Sequence, residues 1–126
     1  MPSHINELIE LHIRASGKLA RLAAAYSSYE AAMWARKKDG LPTAEMERAI
    51  EVCEQQIDVA AEAAFRLAEQ IASYTPDSIV ELHYLADYAS NDELCVPDGW
   101  TNKIVSRLAC GAELLLTTVP LFSRPQ

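Results

Sequence analysis

The strongest constraint on this chain is a pair of matching apolar repeats. Ile5, Leu8, His12, Ala15, Leu19, Leu22, Tyr26, Tyr29 and Met33 follow one another at alternating intervals of three and four residues, and so do Met46, Ile50, Cys53, Ile57, Ala60, Ala64, Leu67, Ile71 and Tyr74. That spacing keeps one face of an α-helix apolar, and sustained over nine positions it marks a coiled-coil-like seam. Read in opposite directions, the two series pair Met33 with Met46 through to Ile5 with Tyr74, and the residue numbers of every pair add to 79. The coincidence predicts an antiparallel helical hairpin roughly 45 Å long, with helices crossing at a shallow angle.

Local punctuation agrees with this register. Ser3 is a suitable N-cap, and Arg36-Lys37-Lys38 place positive charge where a helix C-terminus favours it. Gly40 can take a left-handed terminating conformation, Pro42 cannot continue the helix, and Thr43 can cap the next one with Glu45 and Glu47 in its first turn. The spacing therefore predicts helices over 3–38 and 43–74. Thr75 as N-cap and Pro76 at the first helical position suggest a third helix over 76–90, closed by the polar run Ser90-Asn91-Asp92-Glu93. Asp98 is the expected cap of a fourth, over 98–117, which would present Ile104, Val105, Leu108, Ala112 and Leu115 on one face. No stretch alternates with the period of two that a strand requires. The expected class is all-α: a long antiparallel helical hairpin plus two shorter helices in a four-helix-bundle-like domain over 1–119, with a tail at 120–126.

Two further stripes need cover: Ile9, Ile13, Ala20 and Ala23 on the first helix, and Ala61, Phe65, Ala68 and Ala72 on the second. They cluster near the open end of the hairpin, so the turn end, residues 27–52, is expected to project from the body. Arg21 with Asp58, Lys18 with Glu62 and Arg14 with Glu69 are candidate ion pairs across the hairpin, each contributing only ~0–1 kcal/mol if exposed. Gly17 reads as a close-packing point inside the first helix. The apolar stretch 109–122 reads as a buried helix end.

Charge and cysteine usage narrow the function classes. The 126 residues carry a net charge of −7, and no segment clusters the basic side chains that nucleic-acid binding needs. An acidic surface could instead imitate DNA or attract a basic protein partner. Cys53, Cys95 and Cys110 form no C-x-x-C pair and are odd in number, which points to reduced thiols rather than a disulfide set or thiolate metal site. Met1-Pro2-Ser3-His4 lacks the basic and apolar regions of a leader, and no apolar run approaches the ~18 residues of a membrane span. A cytoplasmic location is expected, with neither membrane nor nucleic acid as a partner.

Candidate chemistry is sparse. His12 lies within an apolar seam, opposite Leu67, and reads as a packed core histidine. His83 and Asp87 share one face of the third helix, but a histidine and one carboxylate make half a metal site, and no Glu-x-x-His pairing occurs. No metal or cofactor is expected. Cys53 sits in a seam, Cys110 on an apolar helix, and Cys95 in a loop beside Asp92 and Glu93, a poor setting for a nucleophile. The row Glu47, Glu51, Glu54, Asp58 and Glu62 reads as a solvated helix face or as a docking face for a basic partner. Trp34 and Arg36, at the turn end and outside the seam, are candidate partner contacts together with Glu47, Glu51 and Glu54. Trp100 is expected to pin the start of the fourth helix to the core.

The run Tyr74-Thr75-Pro76-Asp77-Ser78, followed by Leu82, Tyr84-Leu85-Ala86, Tyr88, an acidic loop and Trp100, resembles a group of small all-helical hypothetical proteins of alphaproteobacteria and their phages, over about residues 45–115. The resemblance implies a cytoplasmic bacterial protein, and it brings no activity or catalytic residues. The expectation is thus a non-catalytic helical interaction or oligomerisation module, dimerising about a two-fold axis through the stripe that includes Ile9, Ile13, Ala20, Ala23, Ala31 and Trp34. The alternatives are a small-molecule-binding or enzymatic bundle using His83 and Asp87, and an acidic DNA-mimic type inhibitor.

Overall fold

The computed structural model describes residues 4–118, so the expected cap at Ser3 and the tail at 120–126 lie outside the described residues. Within them the chain forms α1 (His4–Lys38), α2 (Ala44–Ala72), α3 (Ile79–Ala89) and α4 (Trp100–Thr118), and no strand. At ~1.5 Å per residue α1 is about 52 Å long and α2 about 44 Å, against about 16 Å and 28 Å for α3 and α4. The helical hairpin is the dominant feature. Seventeen of the eighteen seam positions are buried or partly buried, the exception being Tyr29. The Cys53 thiol donates to the Leu22 carbonyl (3.4 Å) and the Tyr26 hydroxyl to Glu54 Oε1 (3.2 Å), tying the two helices near the expected register.

The turn between them follows the expected logic. Gly40 adopts φ +71°, with its N–H bonded to the Lys37 carbonyl (3.1 Å) and the Leu41 N–H to the Arg36 carbonyl (2.8 Å), the two bonds of a Schellman ending. Arg36 Nε reaches over to the Pro42 carbonyl at 2.7 Å. Thr43 occupies the N-cap position of α2, although its side chain bonds no backbone N–H there.

The remaining punctuation differs from expectation in instructive ways. α3 starts three residues beyond Pro76, because Ser78-Ile79-Val80-Glu81 is a better capping sequence than Thr75-Pro76. Ser78 Oγ accepts the Glu81 N–H (3.1 Å), while Glu81 Oε1 takes the Asp77 N–H (3.1 Å) and the Tyr74 hydroxyl (2.6 Å). Burial raises the pKa of the Glu81 carboxyl, but these donated bonds outweigh it and hold the group below its ordinary range. Pro76 is instead a buried packing residue. α4 starts at Trp100, directly after Gly99 at φ +81°, and the expected cap Asp98 is an exposed loop residue. Its inward face is Trp100, Ile104, Leu108 and Gly111. Val105 is 58% exposed, since it stands one position off the i, i+4 row through Trp100 and Ile104. The expected buried end from residue 109 is only partly so in its described part: Gly111 is buried and Ala112 and Leu115 half-buried, while Leu114 and Leu116 are exposed.

The core gathers at the open end of the hairpin. Ile5, Leu8 and Ile9 of α1, Ala68, Ile71 and Ala72 of α2, Leu85 and Tyr88 of α3, and Trp100 and Ile104 of α4 form one buried cluster. Beyond Ser16 no α1 residue is fully buried, and before Cys53 no α2 residue is. The turn half of the hairpin therefore projects, covered by neither α3 nor α4. The expected ion pairs across it do not form. Glu62 pairs with Arg66 one turn along the same helix (2.8 Å), and Glu69 with Lys103 of α4 (3.0 Å). Gly17 is not a close-packing point either, because a Cβ there would meet only the Arg21 guanidinium, at 3.5 Å. Gly111 takes that role, since its Cβ would come within 3.0 Å of both the ring and the carbonyl oxygen of Pro76.

Candidate functional site

Two places in the molecule gather side chains in a way that could matter for function. The first is the polar node inside the core. His12 is fully buried and uses both ring nitrogens: Nε2 lies 2.8 Å from the Cys95 carbonyl, and Nδ1 meets the Tyr88 hydroxyl. A carbonyl only accepts, so Nε2 carries the proton and Nδ1 accepts from Tyr88, which fixes a neutral imidazole in one tautomer. Burial depresses the His12 pKa below its ordinary 6.5, although the Cys95 carbonyl pulls the other way. Burial raises that of the Tyr88 phenol.

Around this pair the aromatic rings interlock edge to face, with Tyr88 and Trp100 centroids 5.8 Å apart and His12 and Tyr88 also 5.8 Å apart. Trp100 Nε1 donates to the Ala68 carbonyl at 2.7 Å, and Ser16 Oγ accepts the Cys95 N–H at 3.1 Å. One cluster thus joins all four helices and the loop after α3. Chemically it is closed, because a proton or ligand reaching the imidazole would first have to displace a hydrogen bond. Nothing in the spacing singles out Tyr88, Ser16 or the Cys95 carbonyl. The one local hint is Ser16, one turn after His12 and beside the seam, which puts two polar side chains on one side of the helix.

The second place is the side of the projecting hairpin. Two adjoining hollows, each of roughly 460 Å3, are lined by α1 and α2 alone and share Leu22, Val52 and Gln56. One extends to Tyr29, Glu45, Arg48 and Ala49, the other to Lys18 and Val59. Val59 is 71% exposed and Val52 49%.

The residues expected to carry function are spread out. Trp34 is 57% exposed at the turn end, with the Lys37 ammonium 4.9 Å from its ring centre, while Arg36 is engaged in closing the turn. Glu47, Glu51 and Glu54 lie exposed along α2. His83 and Asp87 are both exposed on α3, with no hydrogen bond or ion pair between them. Cys53 is buried, Cys95 partly buried and Cys110 exposed, each as a free thiol. Among the described residues no group of three or more His, Cys, Asp or Glu is placed to hold a metal ion, and no helix is long and apolar enough to cross a membrane. No protein-family model, curated protein or solved structure matches the chain.

Proposed function

We propose that this protein is a non-catalytic interaction module, in which the body formed around His12 and Trp100 holds out the turn half of the hairpin for association with another helical surface, in the first place a second copy of itself. The observation that carries this reading is the placement of the core. Every fully buried residue of α1 lies within Ile5–Ser16, while Tyr29, Trp34, Leu41, Val52 and Val59 stay exposed on the part of the hairpin that neither α3 nor α4 covers. Apolar surface of that extent on a projecting element favours association, and closed two-fold dimers are the commonest way for a single chain to cover it.

Enzymatic chemistry has less to support it. The best-connected histidine is locked and buried, and the exposed His83 and Asp87 converge on nothing. Light scattering during size exclusion, over a concentration series reaching well above tens of micromolar, tests the reading. A mass of two chains that falls on dilution is expected, and a mass of one chain throughout overturns self-association.

A further inference from the structure

The two hollows on the hairpin point to a specific mode of pairing. We propose that a second copy of this chain docks antiparallel on the groove that runs over Leu22, Val52 and Gln56, about a two-fold axis passing close to Val52. This rests on the self-association reading and adds to it the face, the direction and the register. The face is not the stripe that the sequence suggests. The core buries Ile9 of that stripe and leaves its other members exposed, and the groove lies on the other flank of the seam.

Shape and exposure select the face. The hollows have similar volume and meet at shared residues, so a two-fold axis there lays one hollow over the other. Glu45 and Val59 each lie seven residues from Val52 along α2, or about 10 Å. An antiparallel partner therefore brings its Val59, the most exposed large apolar side chain of the hairpin, over the hollow bounded by Glu45 and Ala49.

Charge selects the direction. Glu45 bounds the first hollow and Lys18 the second, and among the described residues neither has an ion-pair partner. Antiparallel docking sets Glu45 of each protomer near the partner's Lys18, twice over by symmetry. Parallel docking would set Glu45 against Glu45 and Lys18 against Lys18, which like charges oppose. Arg48 fits the same register. It and Gln56 each stand four residues from Val52, so the guanidinium meets the partner's amide oxygen rather than another cation.

Two helices wide and about 22 Å long, the face offers roughly 450 Å2 per protomer, well under the ~800 Å2 of a tight interface. Association is accordingly weak, and the measurement belongs at tens of micromolar and above. The test is light scattering on the full chain and on exposed-residue variants, with helical circular dichroism of each to show that the fold is kept. Val59→Asp should leave a single-chain mass. Lys18→Glu and Glu45→Lys should each weaken the dimer by roughly tenfold, because the axis repeats every pair, and the double variant should recover it. A dimer indifferent to Val59→Asp and to both charge reversals overturns this face while leaving the self-association reading intact. Weakening by each reversal without recovery in the double variant overturns the antiparallel register. A wild-type mass of one chain throughout overturns the inference and the reading together.

Discussion

The two tryptophans mark the two ends of the hairpin, and their surroundings differ in kind. Trp100 is 2% exposed, donates to the Ala68 carbonyl and packs against Tyr88 and His12, so contacts from the three other helices converge on it. Trp34 is 57% exposed and carries the Lys37 ammonium, from the next turn of its own helix, over its ring. Both lie on amphipathic helices. What separates them is the number of elements that can reach them, since two short helices cover one end of a hairpin about three times the length of α3. The fully packed residues are concentrated at the body, and the extension keeps apolar surface exposed.

The sharpest way to break this comparison is to truncate each tryptophan. Trp100→Ala should cost about 3–5 kcal/mol in urea unfolding, the range for a fully packed aromatic, while Trp34→Ala should stay within about 0.5 kcal/mol at concentrations where the chain is monomeric. Equal costs would mean that the turn end is packed as tightly as the body.

Acid should act on the body through His12. The unfolded chain protonates this imidazole near pH 6.5, and the folded chain only at lower pH, because burial disfavours the cation. Between those values the unfolded state binds more protons. Stability should therefore be complete above pH 6.5 and fall as the pH drops from there toward the folded-state pKa. Urea midpoints followed through this window should decline for the wild type and stay flatter for His12→Gln. Glu81, held below its ordinary 4.5, contributes only in the more acidic range, so the two effects separate.

Two glycines sharpen the contrast with smaller effects. Gly111→Ala should destabilise by about 1–3 kcal/mol, because the new methyl group meets the Pro76 ring and carbonyl, neither of which can swing away. Gly17→Ala, at the margin between body and extension, should instead raise the thermal midpoint. Its methyl group meets only the end of a flexible arginine, and the helix gains about 0.5–1 kcal/mol in propensity. The same substitution with opposite signs at the two sites would confirm where tight packing ends.

Much of the hairpin can be read directly from residue order. The seam spacing is a one-dimensional record of which side of a helix each residue occupies, and the Gly40 ending rests on a conformation open to glycine without steric cost. Even Trp100 can be placed against the core, from its position directly after Asp98-Gly99 at the start of a helix. Capping is less transparent: Thr75-Pro76 and Ser78-x-x-Glu81 both resemble helix starts, and the outcome turned on whether Glu81 could also collect the Tyr74 hydroxyl and the Asp77 N–H. Val105 shows a similar limit, because an apolar residue beside the buried row is indistinguishable from one within it until a neighbouring helix is in place.

The candidate sites divide along the same line. Sequence by itself determined that His12 would sit in an apolar seam without a facing carboxylate, and that the acidic row of α2 would share one helical face. Both follow from the 3.6-residue period, which needs no knowledge of the rest of the chain. Only the tertiary structure decided that His12 would be matched by Tyr88 and the Cys95 carbonyl, 76 and 83 residues away. It also decided that the hollows beside Val52 would remain open. Hydrogen bonding of a buried group depends on which donors and acceptors the packing brings within about 3 Å, and exposure depends on which surfaces the remaining helices are long enough to reach. Those are properties of the assembled chain, and local order does not encode them.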